Sequence, residues 1–302
     1  MRTGLSTSSS KPARLLVPMD FSEEAFNALN TAITVCGLTG GTLILIHAEV
    51  DRVATRKPKY DASRNVIRER LNILTKTLLT RHDFHIAYAV VTGTPFESIG
   101  GFANRHAVDL IIAGRGNCYA SKRLYGRTAL YKLTKHSACP VLFVPVGKLF
   151  TRFNKILFPI RDVPQTIEKY EWVMRIIDLR ESSLQIVGLI RINDAASFRR
   201  VSTAIDALKE RLLGDEVSHL SSVQFCRCTA NKLIEISQRE RPDLIVVTTA
   251  IDHQRSCFSI GHFADSVIGK APCAVLAIPP QTNVGTLANS TSWCRKPPGR
   301  LY

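Results

Sequence analysis

Three short runs of this 302-residue chain occur twice, in the same order and at similar spacing. Lys155-Ile156-Leu157-Phe158-Pro159 answers Arg14-Leu15-Leu16-Val17-Pro18, and Pro242-Asp243-Leu244-Ile245-Val246-Val247 answers Val108-Asp109-Leu110-Ile111-Ile112-Ala113. Ala271-Pro272-Cys273-Ala274-Val275-Leu276 answers Ser137-Ala138-Cys139-Pro140-Val141-Leu142. Such a correspondence marks an internal duplication, and the length suits two domains.

The stretch Asp109 to Pro145 shows what each copy contains. An apolar run (Leu110 to Ile112) leads through a basic loop bearing Gly114, Gly116 and Gly126 to a helix over Thr128 to His136, then to a second apolar run, Val141 to Val144. Two buried strands joined by a loop and a helix are a βαβ unit. Glycines between a strand and a helix N-terminus let backbone N–H groups converge on an anion, so the loop is a candidate phosphate site.

Upstream, Arg14 to Met19 reads as a strand and Ser22 as the cap of a helix with Glu23 and Glu24 in its first turn. Ala25, Leu29, Ala32 and Cys36 line that helix, and Gly37, Gly40 and Gly41 are expected to stop it. Strands follow at Thr42 to Val50 and His85 to Val91, with a helix between Asp61 and Arg81 and another over Phe96 to His106. The second copy offers helix faces at Ile167, Tyr170, Met174 and Ile177, beginning near Pro164, and at Phe198, Val201, Ile205, Leu208 and Leu212. Its strands are read at Leu184 to Ile190, Val217 to Cys228 and Val275 to Ile278, around the Asp243 run. The pattern predicts two tandem, doubly wound, five-stranded parallel-sheet α/β domains over residues 13–148 and 149–280. A disordered lead-in (1–12) and a mobile tail (281–302) flank them.

No apolar run approaches the roughly 20 residues of a membrane span, and the lead-in lacks the apolar segment of a secretory signal. The expectation is a cytoplasmic protein. The eight cysteines include no C-x-x-C pair. Buried free thiols account for them better than disulfides or zinc, even though Cys226 and Cys228 would share a strand face. A net charge of +15 suits a nucleic acid, an anionic surface or a phosphorylated ligand. Without an RNP run, zinc finger or basic-region heptad, a solvated basic surface is preferred over dedicated nucleic-acid binding.

The run Leu15 to Ser22, the run Leu45 to Glu49, Gly93-Thr94-Pro95, Asp109 to Ile112 and Cys139 to Pro145 together resemble the universal stress protein (UspA-type) family. Both halves look like its domains. The resemblance implies the adenine nucleotide α-hydrolase-like fold and a binding and regulatory role in stress. Nucleotide-binding members carry G-x2-G-x9-G-[S/T] and an acid after strand one. Here Asp20 matches the acid, and Gly116 and Gly126 match the second and third glycines. Ala113 stands at the first, Arg127 at the hydroxyl position, and Thr128 follows one place late. The resemblance thus implies ATP or another adenine nucleotide, with Mg²⁺, in the first domain at Asp20, Ala113, Gly116, Gly126, Arg127 and Thr128. Arg115, Lys122 and Arg123 would add positive potential. The alternative is that the glycines only shape a turn and the cations are solvated.

The second half departs further. Arg161 stands where Asp20 would be, Asp162 is a place late, Gly188 replaces the strand-two histidine, and the loop from Thr248 to His253 has no glycine. No ATP is expected there, although Arg161, His253, Arg255 and His262 could hold a smaller anion. His47 reads as a satisfied core histidine, and Glu49 and Asp51 as solvated carboxylates rather than metal ligands. No G-x-S-x-G elbow, H-E-x-x-H helix or full Walker loop is present, so at most a slow ATPase is expected. Family members commonly pair through their fifth strands, which implies an intramolecular pseudo-dimer with further homodimerisation open. A nucleotide-free scaffold acting through protein contacts and a nucleic-acid-associated basic protein are the rival readings.

Overall fold

The computed structural model describes residues 14–49, 59–116, 127–147, 152–163, 166–177, 179, 181–192, 194–249 and 262–279, with backbone alone at 38, 59–64, 127–131, 175 and 262. The lead-in, the tail, Asp51, Lys122, Arg123, Gly126, His253 and Arg255 lie outside the described residues. The first half runs β1 (Arg14–Pro18), α1 (Glu23–Thr39), β2 (Thr42–Glu49), α2 (Lys59–Leu79), β3 (His85–Thr92), α3 (Pro95–Arg105), β4 (Leu110–Arg115), α4 (Arg127–His136) and β5 (Val141–Pro145). The second runs β6 (Lys155–Ile160), α5 (Lys169–Ile176), β7 (Ser183–Arg191), α6 (Ala195–Gly214), β8 (Ser218–Cys226), α7 (Thr229–Glu240), β9 (Leu244–Thr248), α8 (His262–Lys270) and β10 (Ala274–Ile278).

Both halves contribute to one ten-stranded sheet, in the order β3-β2-β1-β4-β5-β10-β9-β6-β7-β8. Every neighbouring pair is parallel except β5 and β10, which run antiparallel where the halves meet. In that junction Leu142 lies opposite Leu276, its own counterpart in the duplication. The pseudo-twofold axis therefore passes between repeated leucines, and both fifth-strand edges are paired rather than left open.

Alternation along the strands divides the apolar residues between two layers. Leu15, Val17 and Met19 pack with α1, α2, α5 and α6 on one face. Leu16, Val141 and Phe143 pack with α3, α4, α7 and α8 on the other. Each layer draws on both halves of the chain, so the hydrophobic core is continuous across the β5–β10 junction. The repeated aspartates fix where the sheet starts. Arg14 N–H donates to Asp109 Oδ2 at 2.7 Å, and Lys155 N–H donates to Asp243 Oδ2 at 3.0 Å. In return the Asp109 and Asp243 amides donate to the carbonyls of Arg14 and Lys155.

Several local expectations change. The first helix runs through Gly37 and ends at Gly40, whose φ of +66° suits the left-handed cap that glycine provides. The helix expected from Pro164 forms only over Lys169–Ile176, and Met174 points outward while Val173 joins Tyr170 in the core. Phe198 is likewise exposed. Cys226 ends β8, but Cys228 caps α7, so the two do not share a strand face. Burial pushes the thiols of Cys36 and Cys139 up to about 12, which makes them inert packing groups.

Gly114 sets how closely α1 approaches the sheet. A Cβ there would stand 2.1 Å from the carbonyl oxygen of Glu24, a backbone atom that cannot step aside. At Gly37 a Cβ would meet nothing within 4 Å. The two glycines should therefore respond oppositely in urea denaturation. Gly114→Ala is expected to cost about 3 kcal/mol or more by overpacking, and Gly37→Ala to stabilise by up to about 1 kcal/mol through helix propensity. Equal and small effects would contradict the close helix–strand contact.

Candidate functional site

In the first half the strand order reverses between β1 and β4, which are parallel neighbours in register from Leu15 with Leu110. Chain leaving their C-terminal ends borders one crevice, the usual ligand position in such sheets. Asp20 leaves β1 there, with Oδ1 accepting from Ser22 N–H at 3.0 Å and from Ser22 Oγ at 2.5 Å. Ser22 Oγ accepts in turn from the Ala25 amide, so the acid and the helix cap are held as one turn. Phe21 between them has φ of +62°, a conformation that costs an L residue on the order of 1–2 kcal/mol. The Arg70 guanidinium covers its ring at 3.9 Å, and Phe26 and His47 flank it. His47 lies 2.7 Å from the Met19 carbonyl through Nδ1, so Nδ1–H donates and the ring is satisfied, as expected.

Ala113 is a strand residue of β4, opposite Phe143, and does not have positive φ. An alanine at the family's first glycine therefore meets no backbone obstacle. Gly116 continues from β4 and lies against the Glu24 carboxylate, whose Oε1 would be 2.5 Å from a Cβ placed there. Asp20, Ala113 and Gly116 are thus brought to one end of the sheet. Of Arg127 and Thr128 the structure gives only the backbone, the first turn of α4. The sequence pattern places Gly114 in the loop and Glu24 in a helix turn without a role at the site; Gly114 instead lies within β4. The signal for Gly114 was present, because a glycine in an otherwise apolar strand marks close backbone approach.

Arg115 does not serve the loop. It is buried, and it crosses to the second half, where NH1 donates to Ile268 O at 2.6 Å and NH2 to Ala271 O at 2.7 Å and Cys273 O at 3.0 Å. Ile268 O lies in the last turn of α8 and the other two in the connection to β10, and a guanidinium suits them both as a donor and as a cation at the helix C-terminus. The duplication explains why it is needed. In the first half, Ser137 Oγ lies within hydrogen-bond distance of the Leu133 and Cys139 carbonyls, and Asn104 donates to the His136 carbonyl. Ala271 replaces Ser137 and has no hydroxyl to offer.

The equivalent crevice of the second half is filled by its own side chains. Thr248 stands at the position of Gly114, and its Cβ forbids the approach that α1 makes. The helix accordingly starts late, at Lys169. Lys169 is buried at the ends of β6 and β9, with Nζ donating to Pro159 O and, at 3.4 Å, to Val246 O, and lying 4.3 Å from the Phe158 ring centroid. Burial first, and the Arg161 charge second, push this amine well below its ordinary value of 10.5. Arg161 stacks on Phe263 at 3.7 Å. Asp162 is held low chiefly by the Arg200 guanidinium, at 2.7 and 2.6 Å, with help from Ser197 Oγ. The Arg161, His253, Arg255 and His262 anion site is thus represented among the described side chains by Arg161 alone, which is engaged in packing. Among the described residues no group of three or more histidine, cysteine, aspartate or glutamate side chains could hold a metal ion.

Two five-stranded, doubly wound units joined edge to edge, with side chains of the second half filling its switch point, define a two-unit α/β fold. Residues 12–145 match the model of the Universal stress protein family, so this half of the chain is similar to that family's domain. The fold of both halves is similar to a universal stress protein from Archaeoglobus fulgidus DSM 4304, at 14% identity, TM-score 0.67, covering 88% of this chain and 97% of that one. It is also similar to a protein from Pseudomonas aeruginosa UCBPP-PA14 assigned to the same family, at 16% identity, TM-score 0.61, covering 91% and 95%. An Arabidopsis thaliana family protein with AMP bound aligns with 43% of this chain and 93% of its own at 12% identity and TM-score 0.33, too partial a likeness to bear on the ligand. A comparison with curated proteins gives no match. No described helix is long and apolar enough to cross a membrane.

Two expectations follow. Arg115→Met leaves the carbonyls of Ile268, Ala271 and Cys273 without their donor and should cost about 2–4 kcal/mol in urea unfolding; a neutral substitution would contradict the capping role. Lys169 binds its proton more weakly in the folded chain than in the unfolded one. Between the lowered value and 10.5 the unfolded chain holds the extra proton, so this group makes stability rise with pH across that window. The stability of wild type relative to Lys169→Met should therefore increase from neutral toward pH 10. A difference independent of pH would show an ordinary, charged lysine.

Proposed function

We propose that the chain is a nucleotide-responsive binding module, with an adenine nucleotide held in the first-half crevice and a second half that is structural. The observation that carries this reading is the junction of α1 with β4. It sets Asp20 and the Gly114 to Gly116 backbone side by side at the switch point, while the counterpart in the second half is filled by Lys169 and Arg161. Asp20 would take the ribose end, and Gly116 with Gly126 and the start of α4 the phosphates. The rings of Phe21, Phe26 and His47 with Arg70 offer an apolar and aromatic wall beside Asp20. Among the described residues the hydroxyl beside Asp20, Ser22 Oγ, is taken up in capping α1, so binding rather than turnover is proposed.

Glu24 gives the reading a specific signature. Its carboxylate lies against Gly116, where it repels an incoming phosphate unless a cation stands between them. Nucleotide binding should therefore depend on Mg²⁺, for which Glu24 and Asp20 are the nearby carboxylates. Calorimetric titration of nucleotide-stripped protein with ATP and Mg²⁺ tests this directly. The expected result is one site per chain, lost in Asp20→Ala and Gly126→Val. In Glu24→Gln, binding should tighten several-fold in the absence of Mg²⁺, as loss of about 1 kcal/mol of repulsion requires. No heat at millimolar ATP in any of these proteins would overturn the proposal and favour a scaffold acting through protein contacts.

A further inference from the structure

The second half ends in an edge that nothing described covers. Strand β8 is the last of the sheet and pairs only with β7 among the described residues. Its sequence, Ser218 to Cys226, contains no lysine, arginine, acid or proline, the residues that normally protect an edge. It is exposed on both faces. Leu220 is 76% exposed on the side of α7, a helix that lies over β7 instead. On the other side Phe225, 57% exposed, stacks on the exposed Phe198 of α6 at 6.0 Å, and Ile192 is exposed beside them. These rings, with Asp194 and Ala195, line an open cleft of about 370 Å³. The opposite edge, β3, has no comparably exposed large apolar residue.

We propose that β8 is a self-association surface, pairing antiparallel with β8 of a second copy about a twofold axis through Ser222. The sequence is self-complementary in that register. Leu220 falls opposite Gln224, Ser221 opposite Val223, and His219 opposite Phe225, so no charge meets a like charge. The chain already uses this mode internally, where β5 meets β10 antiparallel with repeated leucines at the axis. Ile192, Phe198, Leu220 and Phe225 expose on the order of 400 Å² per copy, and two copies with the strand backbones reach the roughly 1,000 Å² of a specific interface. Pairing also satisfies the outward N–H and C=O groups of a nine-residue strand.

The test is the mass of the full chain in solution across a dilution series, by light scattering or sedimentation. Wild type should reach twice the 33.5 kDa of one chain. Leu220→Lys should be monomeric with an unchanged circular dichroism spectrum and Tm, and Ile73→Lys, an exposed site on α2, should remain dimeric. Ser222→Cys should form an intermolecular disulfide on mild oxidation, because residues at such an axis bring their Cα atoms within disulfide range. A monomer at every concentration overturns the proposal, as does a dimer that Leu220→Lys leaves intact and Ser222→Cys does not cross-link. A monomer whose β8 amides resist exchange only while residues 281–302 are present would overturn it too, and would assign the edge to the chain's own C-terminal segment.

Discussion

The antiparallel pairing of β5 with β10 is the interaction on which the rest of the architecture depends. A five-stranded parallel sheet has two open edges, and duplication alone would have doubled them. Joining the fifth strands removes two, makes the apolar layers on both faces continuous, and leaves β3 and β8 as the outer strands among the described residues. Once the halves share a core, a residue of one can finish the hydrogen bonding of the other. Arg115 does this: it belongs to the strand that leads into the first-half loop, yet its guanidinium ends a helix of the second half. The loop backbone and the junction are thereby tied together at a single residue.

The duplicated halves have diverged in ways that depend on one another. Gly114 allows the first turn of α1 to lie against β4 and holds Asp20 and Ser22 at the rim of the crevice. Threonine at 248 blocks the same approach, the helix of the second half begins later, and Lys169 occupies the space. The buried amine is tolerable because carbonyl oxygens and the Phe158 ring receive it and because burial favours its neutral form. The glycine-to-threonine difference thus accompanies the filling of the second-half switch point. Ser137 and Ala271 show the same logic on the opposite layer, where a lost hydroxyl is replaced by a guanidinium from across the junction.

Much of the fold was legible because it rests on periodicity. The repeat and the order of strands and helices follow from short apolar runs and their correspondence, whereas the fifth-strand junction was implied by the family resemblance. Contacts that depend on three-dimensional neighbours were not legible. A cation inside a glycine loop reads as a phosphate ligand, and nothing local to Arg115 reveals unsatisfied carbonyls 153 to 158 residues away. Met174 and Phe198 fit a helical apolar period but are exposed, so the period marks a wider apolar face on α5 and α6 than the one that is buried. For the candidate site, Asp20 and Gly116 were readable as a pattern. Glu24, a first-turn acid like many others, gained meaning only when its carboxylate was found against Gly116.

The central claim is that one crevice of the pair is open to a ligand and the other is closed by its own side chains. Hydrogen exchange followed by mass spectrometry, with and without ATP and Mg²⁺, measures this site by site. The account predicts added protection in peptides spanning 14–24 and 110–116, with peptides spanning 155–170 and 244–249 exchanging at unliganded rates. Protection centred on the second-half peptides, or spread equally over both, would contradict it.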